Sequence, residues 1–443
     1  MKLFTVIAFG LLLILPSASN AQIKSKGFYK DLGMDGGVEL IAKEDLAAAR
    51  LLDLSMEKLV ATLYAEKDSL TCRDTIIQNL QVCGNPLDDN GILLYPDGAP
   101  RFKVIYVNGG LASYHGRSLT ETGRNNIKQY IENGGSYIGT CAGAFLGSIA
   151  PVTEDMHPYP SYLSLWPGYT METNLFNAYT GVFVDKNSPL LQYYDFGGDN
   201  YIDSLRHYNG CYAYSDYHYP RQTEPLIRFD CDTAKVGKLM HNQTVAWAYK
   251  ESDRSGRVIL CGSHPENATS GERLDLMASF IRYCMDGNGV PVIKGELKSG
   301  EPRIMSARTA DSRPEYTRIG DKQYHHFTID VPKNTETLTV SLTGIDGWTD
   351  FDMYLFVNAD NFAFADNSRF HDVALGVSKQ IVLKQPKQGK YYISVYLATT
   401  VDTIETHYGT QYIGRTDVLN GVPYIIQAET KRVERDYKLN SSE

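Results

Sequence analysis

The sequence is poor in positive charge. Its 443 residues carry 43 Lys and Arg against 52 Asp and Glu, which gives a formal net charge of −9. A nucleic-acid-binding protein usually shows a basic patch or stripe, and the sequence has none. We therefore predict no nucleic-acid partner.

Long apolar runs are also scarce. The run Leu3–Leu15 spans about 13 residues, fewer than the roughly 20 that cross a bilayer as a helix. One Lys precedes this run, and the small residues Ser19 and Ala21 follow it, as in a secretory signal with its cleavage site. We expect residues 1–21 to be a signal peptide and the mature chain to have no integral membrane segment. The expected location is periplasmic or extracellular.

Cysteine is sparse and confined to the first two thirds of the chain. In an oxidising compartment the odd count of seven leaves at least one thiol unpaired, while six can form up to three disulfides in any of 15 pairings. Cys72 with Cys83 is the most local pair, and some cysteines can instead be buried thiols. No CxxC pair or His/Cys cluster with zinc spacing is present, so we assign no metal and no cofactor. The seven are Cys72, Cys83, Cys141, Cys211, Cys231, Cys261 and Cys284.

The length predicts two or three domains. Apolar and polar residues alternate at helical and strand spacing up to about residue 286, and a Gly/Pro/Lys-rich stretch follows. Short alternating strands separated by turn residues begin at Tyr316 and are typical of an antiparallel β-sandwich. The predicted division is a signal peptide (1–21), an α/β domain (22–286), a linker (287–315), an all-β sandwich (316–432) and a flexible tail (433–443).

Strands and helices alternate in the first domain. The β-branched and aromatic run Phe102–Val107 is typical of a buried parallel strand, and it ends at Asn108. A helix is predicted over Ser118–Glu132, capped by Ser118, and a further strand over Ser136–Gly139. This alternation predicts a doubly wound, mostly parallel α/β sheet, whose ligand site lies at the carboxyl ends of the strands.

One cysteine follows such a strand directly. Cys141 stands among small residues in the stretch Gly139-Thr-Cys-Ala-Gly-Ala144, which predicts a strained strand-to-helix turn that exposes the sulfur. The amides at the start of the next helix favour the thiolate over the thiol. Cys141 is therefore our candidate nucleophile, although a packing cysteine at such a junction has the same local sequence.

A cysteine nucleophile needs a base, and the base needs an orienting group. His264 and Glu266 follow another predicted strand at i and i+2, so the carboxylate can reach the ring nitrogen that faces away from the sulfur. An acyl-transfer site also needs amides directed at the developing oxyanion. The candidates for this role are the backbone amides of Gly109, Gly110 and Ala142.

These motifs carry a resemblance. Gly-Thr-Cys141-Ala-Gly-Ala, Asn108-Gly-Gly and His264-Pro-Glu together resemble the class I glutamine amidotransferase fold, whose Cys-His-Glu triad uses an elbow and an HPE motif of this kind. The segment Tyr208-Asn-Gly-Cys-Tyr212 makes the chain most similar to the family named for the N-terminal region of biotin–protein ligase. The resemblance covers about residues 30–286. It departs at Asn108, where the superfamily usually has Pro, and Ala142 separates the chain from the intracellular protease branch.

The resemblance implies catalysis by Cys141, His264 and Glu266, with Asn108, Tyr208 and Asn209 contacting the substrate. Because an exported protein meets no ATP, hydrolysis is favoured over ammonia transfer. We therefore expect a thiol amidohydrolase or peptidase that cleaves an amide of a small molecule or peptide through a thioester. The alternatives are an inactive binding protein with the same fold and a glutamine amidotransferase-type transferase.

Two regions carry no catalytic motif. Residues 151–220 are rich in Tyr and either line a site or form a packing layer. In the predicted sandwich, Trp348–Leu355 and Gly389–Tyr396 resemble the bacterial pre-peptidase C-terminal domain over about residues 316–400. Asp350 and Asp352 have oxygens of the kind that Ca²⁺ takes, but a sandwich turn explains them equally well.

Overall fold

The structure is a computed structural model. The residues that it describes are 94–100, 104–107, 109–231, 240–266, 271–287, 291–308, 313–400, 402–406 and 409–432. The predicted signal peptide, Asn108, Cys72, Cys83 and the predicted tail lie outside these residues.

The first domain is built on one seven-stranded sheet with helices on both faces. Its strand order is β1-β2-β10-β9-β8-β5-β6, and β3, β4 and β7 form a separate small sheet. The strands are β1 (Val104–Val107), β2 (Ser136–Thr140), β3 (Ala150–Pro151), β4 (Tyr169–Glu172), β5 (Ala178–Val184), β6 (Tyr201–His207), β7 (Cys211–Ala213), β8 (Glu224–Asp230), β9 (Thr244–Tyr249) and β10 (Val258–Cys261). The α-helices are α1 (Ala112–Ser118), α2 (Thr120–Glu132), α3 (Ala142–Gly147) and α4 (Glu272–Asp286), and 3₁₀ turns lie at Pro189–Gln192 and Phe196–Gly198.

Alternation along β1 explains the layering. Val104 and Tyr106 face α4, whereas Ile105 and Val107 face α2 and α3, so the strand is buried on both sides. The α/β class is confirmed. Within the described residues the sheet is mixed, because only β1, β2 and β10 run parallel and the four strands from β9 to β6 are antiparallel.

The helix predicted over Ser118–Glu132 corresponds to α2, which only Leu119 separates from α1. Ser118 ends α1, and Leu119 stands at the N-cap of α2 without a side-chain hydrogen bond. The predicted cap is therefore wrong. The cause is that Ser118 belongs to the last turn of α1, so Leu119 takes the N-cap position of α2.

Among the described cysteines, Cys141, Cys211, Cys261 and Cys284 are free thiols. The prediction of up to three disulfides fails for these residues, since Cys211 packs on the α2 and α3 face of the sheet and Cys261 on the α4 face. Cys284 also lies on the α4 face, but its Sγ contacts the Tyr137 carbonyl near the start of β2, whereas Cys261 pairs with Thr140 at the strand's end.

The C-terminal part is a β-sandwich, as predicted. Its sheets have the orders β11-β13-β18-β15-β16 and β12-β21-β14-β17, with β19-β20 as a separate hairpin. The strands are β11 (Ile293–Glu296), β12 (Arg303–Met305), β13 (Tyr324–Val331), β14 (Thr335–Gly344), β15 (Met353–Ala359), β16 (Phe370–Asp372), β17 (Lys379–Lys384), β18 (Gly389–Leu397), β19 (Asp402–Thr406), β20 (Gly409–Ile413) and β21 (Tyr424–Arg432), and 3₁₀ turns lie at Pro314–Tyr316 and Thr416–Asn420.

The range predicted as a linker, 287–315, contributes two of these strands. β11 pairs in parallel with β13, and β12 pairs antiparallel with β21. Both are short and rich in charged residues, so their pattern does not resemble that of a buried strand. No helix in the described part of the chain is long and apolar enough to cross a membrane.

The loop before β1 connects the α/β sheet to the sandwich. Asp97 accepts hydrogen bonds from Lys294 at 2.5 Å and from Gln323 at 2.9 Å, and the side chains of Asp97 and Lys294 are 9% and 7% exposed. The Tyr95 hydroxyl donates to the Asp321 carbonyl, and Asn133 of the α/β domain donates to the Gly98 carbonyl. One short loop is thus bonded to both parts of the chain.

Candidate active site

Cys141 lies at the sharp turn between β2 and α3. Its φ of 48° and ψ of −107° place a non-glycine residue in a strained region of backbone space. The turn packs closely on its surroundings, because a Cβ on Gly143 would lie 2.1 Å from the Val107 carbonyl oxygen. The predicted elbow geometry is therefore present, and only small residues fit beside it. Cys141 is only 6% exposed, however, so the prediction that this turn exposes the cysteine is wrong.

His264 and Glu266 follow β10, the parallel neighbour of β2. His264 Nδ1 donates to Glu266 Oε1 over 2.7 Å, and the two residues are 5% and 1% exposed. The Cys141 amide donates to the Cys261 carbonyl at 2.8 Å, which holds the two strand ends together. The register of two parallel strands thus brings residues 123 positions apart to one edge of the sheet.

The electrostatics of His264 link it to Cys141. Burial alone would lower the pKa of the imidazole, but the negative charges of Cys141 and Glu266, together with hydrogen bonds to both side chains, raise it well above its ordinary value. Since Nδ1 is bonded to Glu266, Nε2 is the nitrogen left for the sulfur. The ring therefore holds a proton between a sulfur and a carboxylate.

Two residues that the sequence analysis missed support the carboxylate. Thr140 Oγ1 donates to Glu266 Oε1 at 3.2 Å, and the Tyr106 hydroxyl lies 3.1 Å from Thr140 Oγ1. Because Thr140 gives its proton to Glu266, Tyr106 is the donor in the second bond. Thr140 directly precedes Cys141 in the chain, and this adjacency is the signal that identifies it.

Of the three predicted oxyanion residues, one contacts His264 and one adjoins Cys141 in the chain. A Cβ on Gly109 would lie 2.6 Å from His264 Cε1, so the glycine packs directly against the catalytic candidate. Gly110 has a φ of 135° and would place a Cβ 2.8 Å from His115 Nε2. Ala142 is the first residue of α3, directly after Cys141. That their amides serve an oxyanion stays a prediction.

The predicted substrate residues are placed in part. The Tyr208 carbonyl oxygen lies 3.8 Å from Cys141 Sγ, while the Tyr208 side chain is 55% exposed and makes an edge contact with Phe176. Asn209 has a φ of 50°, and its Oδ1 is buried without a hydrogen-bond partner among the described residues. Asn108 lies outside them. Contact of these residues with a substrate stays a prediction.

A second histidine lies behind the site. His207 Nδ1 is 2.8 Å from Ser263 Oγ and its Nε2 is 2.7 Å from Thr180 Oγ1, so both nitrogens are hydrogen-bonded. Burial, reinforced by nearby His264, lowers its pKa to about 3. His207 is thus neutral, and it directly precedes the Tyr208–Tyr212 motif that the sequence analysis singled out.

Within the described ranges, no group of three or more His, Cys, Asp and Glu side chains is placed to hold a metal ion. In the sandwich, Asp350 pairs with Arg415 and Asp352 accepts from the Gly376 amide.

Comparison with known proteins gives two family matches. Residues 98–154 match the family described as "Biotin-protein ligase, N terminal", and residues 323–397 match "Bacterial pre-peptidase C-terminal domain". Both predicted resemblances are confirmed. The first match contains Gly109, Gly110, Cys141 and Ala142.

A curated relative agrees with the first match. The biotin–protein ligase of Schizosaccharomyces pombe is 22% identical over 248 residues, which are 49% of this chain and 35% of that protein. The chain therefore spans about a third of the length of this relative.

Among solved structures, the pre-peptidase C-terminal domain of a Bacillus anthracis collagenase is 12% identical with a TM-score of 0.18, covering 32% of this chain and all of that one. A ThuA-like protein from Bacteroides uniformis is 17% identical with a TM-score of 0.29, covering 42% of this chain and 72% of that one.

Proposed function

We propose that the α/β domain is a thiol hydrolase that cleaves an amide or peptide bond. The observation that carries the proposal is the position of His264, which bonds to Glu266 and interacts with Cys141. A thiolate, an imidazole and an orienting carboxylate in this order are the parts of a nucleophilic acyl-transfer site.

In the proposed reaction the Cys141 thiolate attacks the amide carbonyl, and the C–N bond breaks as His264 gives its proton to the leaving amine. A thioester on Cys141 remains. Water then attacks the thioester, His264 takes a proton from the water, and the acid is released as the sulfur leaves. Glu266 fixes the ring orientation and stabilises the imidazolium throughout, and Thr140 holds Glu266 in place.

Location supports hydrolysis over transfer. Residues 1–21 are proposed to be a signal peptide, and the matched pre-peptidase C-terminal domain is a bacterial domain often found in secreted proteins. A periplasmic or extracellular enzyme has water as its acceptor but no ATP to drive a coupled synthetase. This is why we place the amidotransferase alternative second.

A non-catalytic role is the competing proposal. The likeness to the N-terminal region of biotin–protein ligase by itself supports a ligase-like or binding function. The 6% exposure of Cys141 also favours a thiol that substrates do not reach. The two proposals differ in what they predict for the reactivity of the sulfur.

Alkylation by iodoacetamide near pH 7 separates them, with the modified peptides identified by mass. We expect Cys141 to react rapidly and its rate to fall by about 10²-fold in His264→Ala, the loss typical of removing a general base. Cys261 and Cys284, which are fully buried, provide internal controls for an inert thiol. A Cys141 rate as slow as theirs and indifferent to His264→Ala would favour the binding protein.

A further inference from the structure

Arg206 lies beside His264 in an antiparallel bridge. The His264 amide donates to the Arg206 carbonyl at 2.9 Å, and the two residues are paired across the bridge. Residues directly opposite each other in antiparallel pairing project their side chains from the same face, with Cβ atoms about 4.5–5.5 Å apart. The Arg206 and His264 side chains therefore share a face.

The neighbouring pair verifies this alternation. His207 and Ser263, one position further along each segment, are hydrogen-bonded through their side chains at 2.8 Å. Successive residues of a strand point to opposite faces, so the bond between His207 and Ser263 on one face places Arg206 and His264 on the other. His207 packs against Phe229 in the core, which leaves the opposite face for the site.

A residue of the neighbouring strand β5 lies on the same face as Arg206 and His264. Tyr179 of β5 pairs with Arg206 of β6 and is 56% exposed. Thr180 bonds His207 on the core side, so Tyr179 lies on the same face as Arg206. The row Tyr179, Arg206 and His264 thus runs from an exposed aromatic ring to the imidazole of the proposed site.

One donor of the Arg206 guanidinium has no acceptor among the described residues. Arg206 Nε is buried, and it has no hydrogen-bond partner among the residues that the structure describes. A buried donor left without an acceptor is costly, and an arginine meets that need best with a carboxylate, which it can bind through two parallel N–H···O bonds. Nε lies on an edge of the guanidinium that forms such a pair.

We propose that Arg206 is a substrate-binding residue that selects amides carrying a free carboxylate near the scissile bond. This inference rests on the hydrolase proposed above, since it names the substrate class of that site. The carboxylate enters beside His264, accepts a hydrogen bond from the Nε edge of Arg206, and positions the scissile carbonyl over Cys141.

The test compares two alkylating reagents of similar size. Iodoacetate carries a carboxylate and iodoacetamide a neutral amide, and both react with Cys141 by displacement of iodide. The ratio of their rates measures the preference for a carboxylate at the site. His264 contributes equally to this ratio in wild type and in Arg206 variants, so a change in the ratio isolates Arg206.

In Arg206→Gln we expect the iodoacetate to iodoacetamide ratio to fall about tenfold, the scale of one charge-assisted hydrogen bond, while the iodoacetamide rate stays within about twofold. Arg206→Lys keeps the positive charge but loses the planar guanidinium that binds a carboxylate through two hydrogen bonds, so we expect it to retain part of the preference for iodoacetate. The matched control is Arg221→Gln, which removes an exposed arginine near Tyr249 and Lys250, at the other end of the sheet.

Two results would overturn the inference in distinguishable ways. If iodoacetamide reacts rapidly but the ratio is the same in wild type, Arg206→Gln and Arg221→Gln, Arg206 does not bind the carboxylate and the hydrolase proposal survives. If both reagents react slowly and His264→Ala changes neither rate, the thiolate site itself is refuted, and the role of Arg206 with it.

Discussion

Replacing Gly109 by Ala is the most local test of the site that the chain offers. The new methyl would lie 2.6 Å from His264 Cε1 and about 3.5 Å from both ring nitrogens. Carbon atoms pack at about 3.5–4.0 Å, so the ring must move by roughly 1 Å. Gly109 does not have a positive φ, so alanine fits its backbone and the effect falls on the histidine.

A displacement of about 1 Å at a reacting group can cost about 10²-fold in rate. We therefore expect Gly109→Ala to slow the alkylation of Cys141 by iodoacetamide at pH 7 by about that factor, close to the effect of His264→Ala. Because both changes act through the same ring, the double variant is expected to lose nothing further, in contrast to independent sites.

The assay is the pseudo-first-order loss of the unmodified Cys141 peptide in the four proteins of this cycle. Urea unfolding of each variant provides the control for folding. A wild-type rate in Gly109→Ala, or losses that multiply in the double variant, would refute the contact between Gly109 and the ring as the cause.

Three further predictions concern the supporting residues. Thr140→Val keeps the side-chain shape but removes the bond to the Glu266 carboxylate, so Cys141 alkylation should slow by about tenfold, the scale of one hydrogen bond to a charged group. An unchanged rate would contradict the role of Thr140, and urea unfolding of the variant provides the control for folding. The pKa of His207, lowered to about 3, means that its contribution to stability is complete above pH 6.5 and is lost as the pH falls towards 3. At pH 5 this loss of unfolding free energy is about 2 kcal/mol, and the His207 contribution should be absent in His207→Gln. Urea unfolding at pH 7.5 and pH 5, followed by the fluorescence of buried Trp166 and Trp247, measures it. Equal losses in both proteins would contradict the lowered pKa of His207. Lys294→Met leaves the Asp97 carboxylate buried with Gln323 as its remaining side-chain donor, so the free energy of unfolding should fall by about 3 kcal/mol. In the double variant Asp97→Asn/Lys294→Met no unpaired charge is buried, so much of that loss should disappear.

The local parts of the site were predictable from sequence because they depend on short spacings. The small residues around Cys141 required a tight turn, and the i, i+2 spacing placed Glu266 within reach of His264. The rule that sites lie at the carboxyl ends of strands brought the two segments to one edge of the sheet. The roles of these residues in catalysis stay predictions until the alkylation experiments are done.

The parts that depend on strand register were not predictable. Tyr106, Thr140 and Glu266 come from three segments whose contact is fixed by the pairing of β1 with β2 and of β2 with β10. The antiparallel half of the sheet was missed because an apolar run does not show whether a strand is parallel or antiparallel to its neighbours. The strands β5 and β6 also lie in the tyrosine-rich stretch 151–220, whose composition hides their alternation. Short charged strands such as β11 carry too little pattern to be distinguished from a linker.

The bridge between Arg206–His207 and Ser263–His264 has a consequence for insertions and deletions. The two histidines are chemically identical, yet one is neutral and the other holds a proton, because alternation sends them to opposite faces. When a strand shifts by one residue relative to its neighbour, each of its side chains moves to the opposite face of the sheet. Deleting a single residue between β10 and His264 would therefore turn the imidazole towards the core and the Ser263 position towards the site. Length variation in this short connection should therefore be poorly tolerated, as should substitution of Gly262, where a Cβ would lie 1.6 Å from the Cys211 carbonyl oxygen.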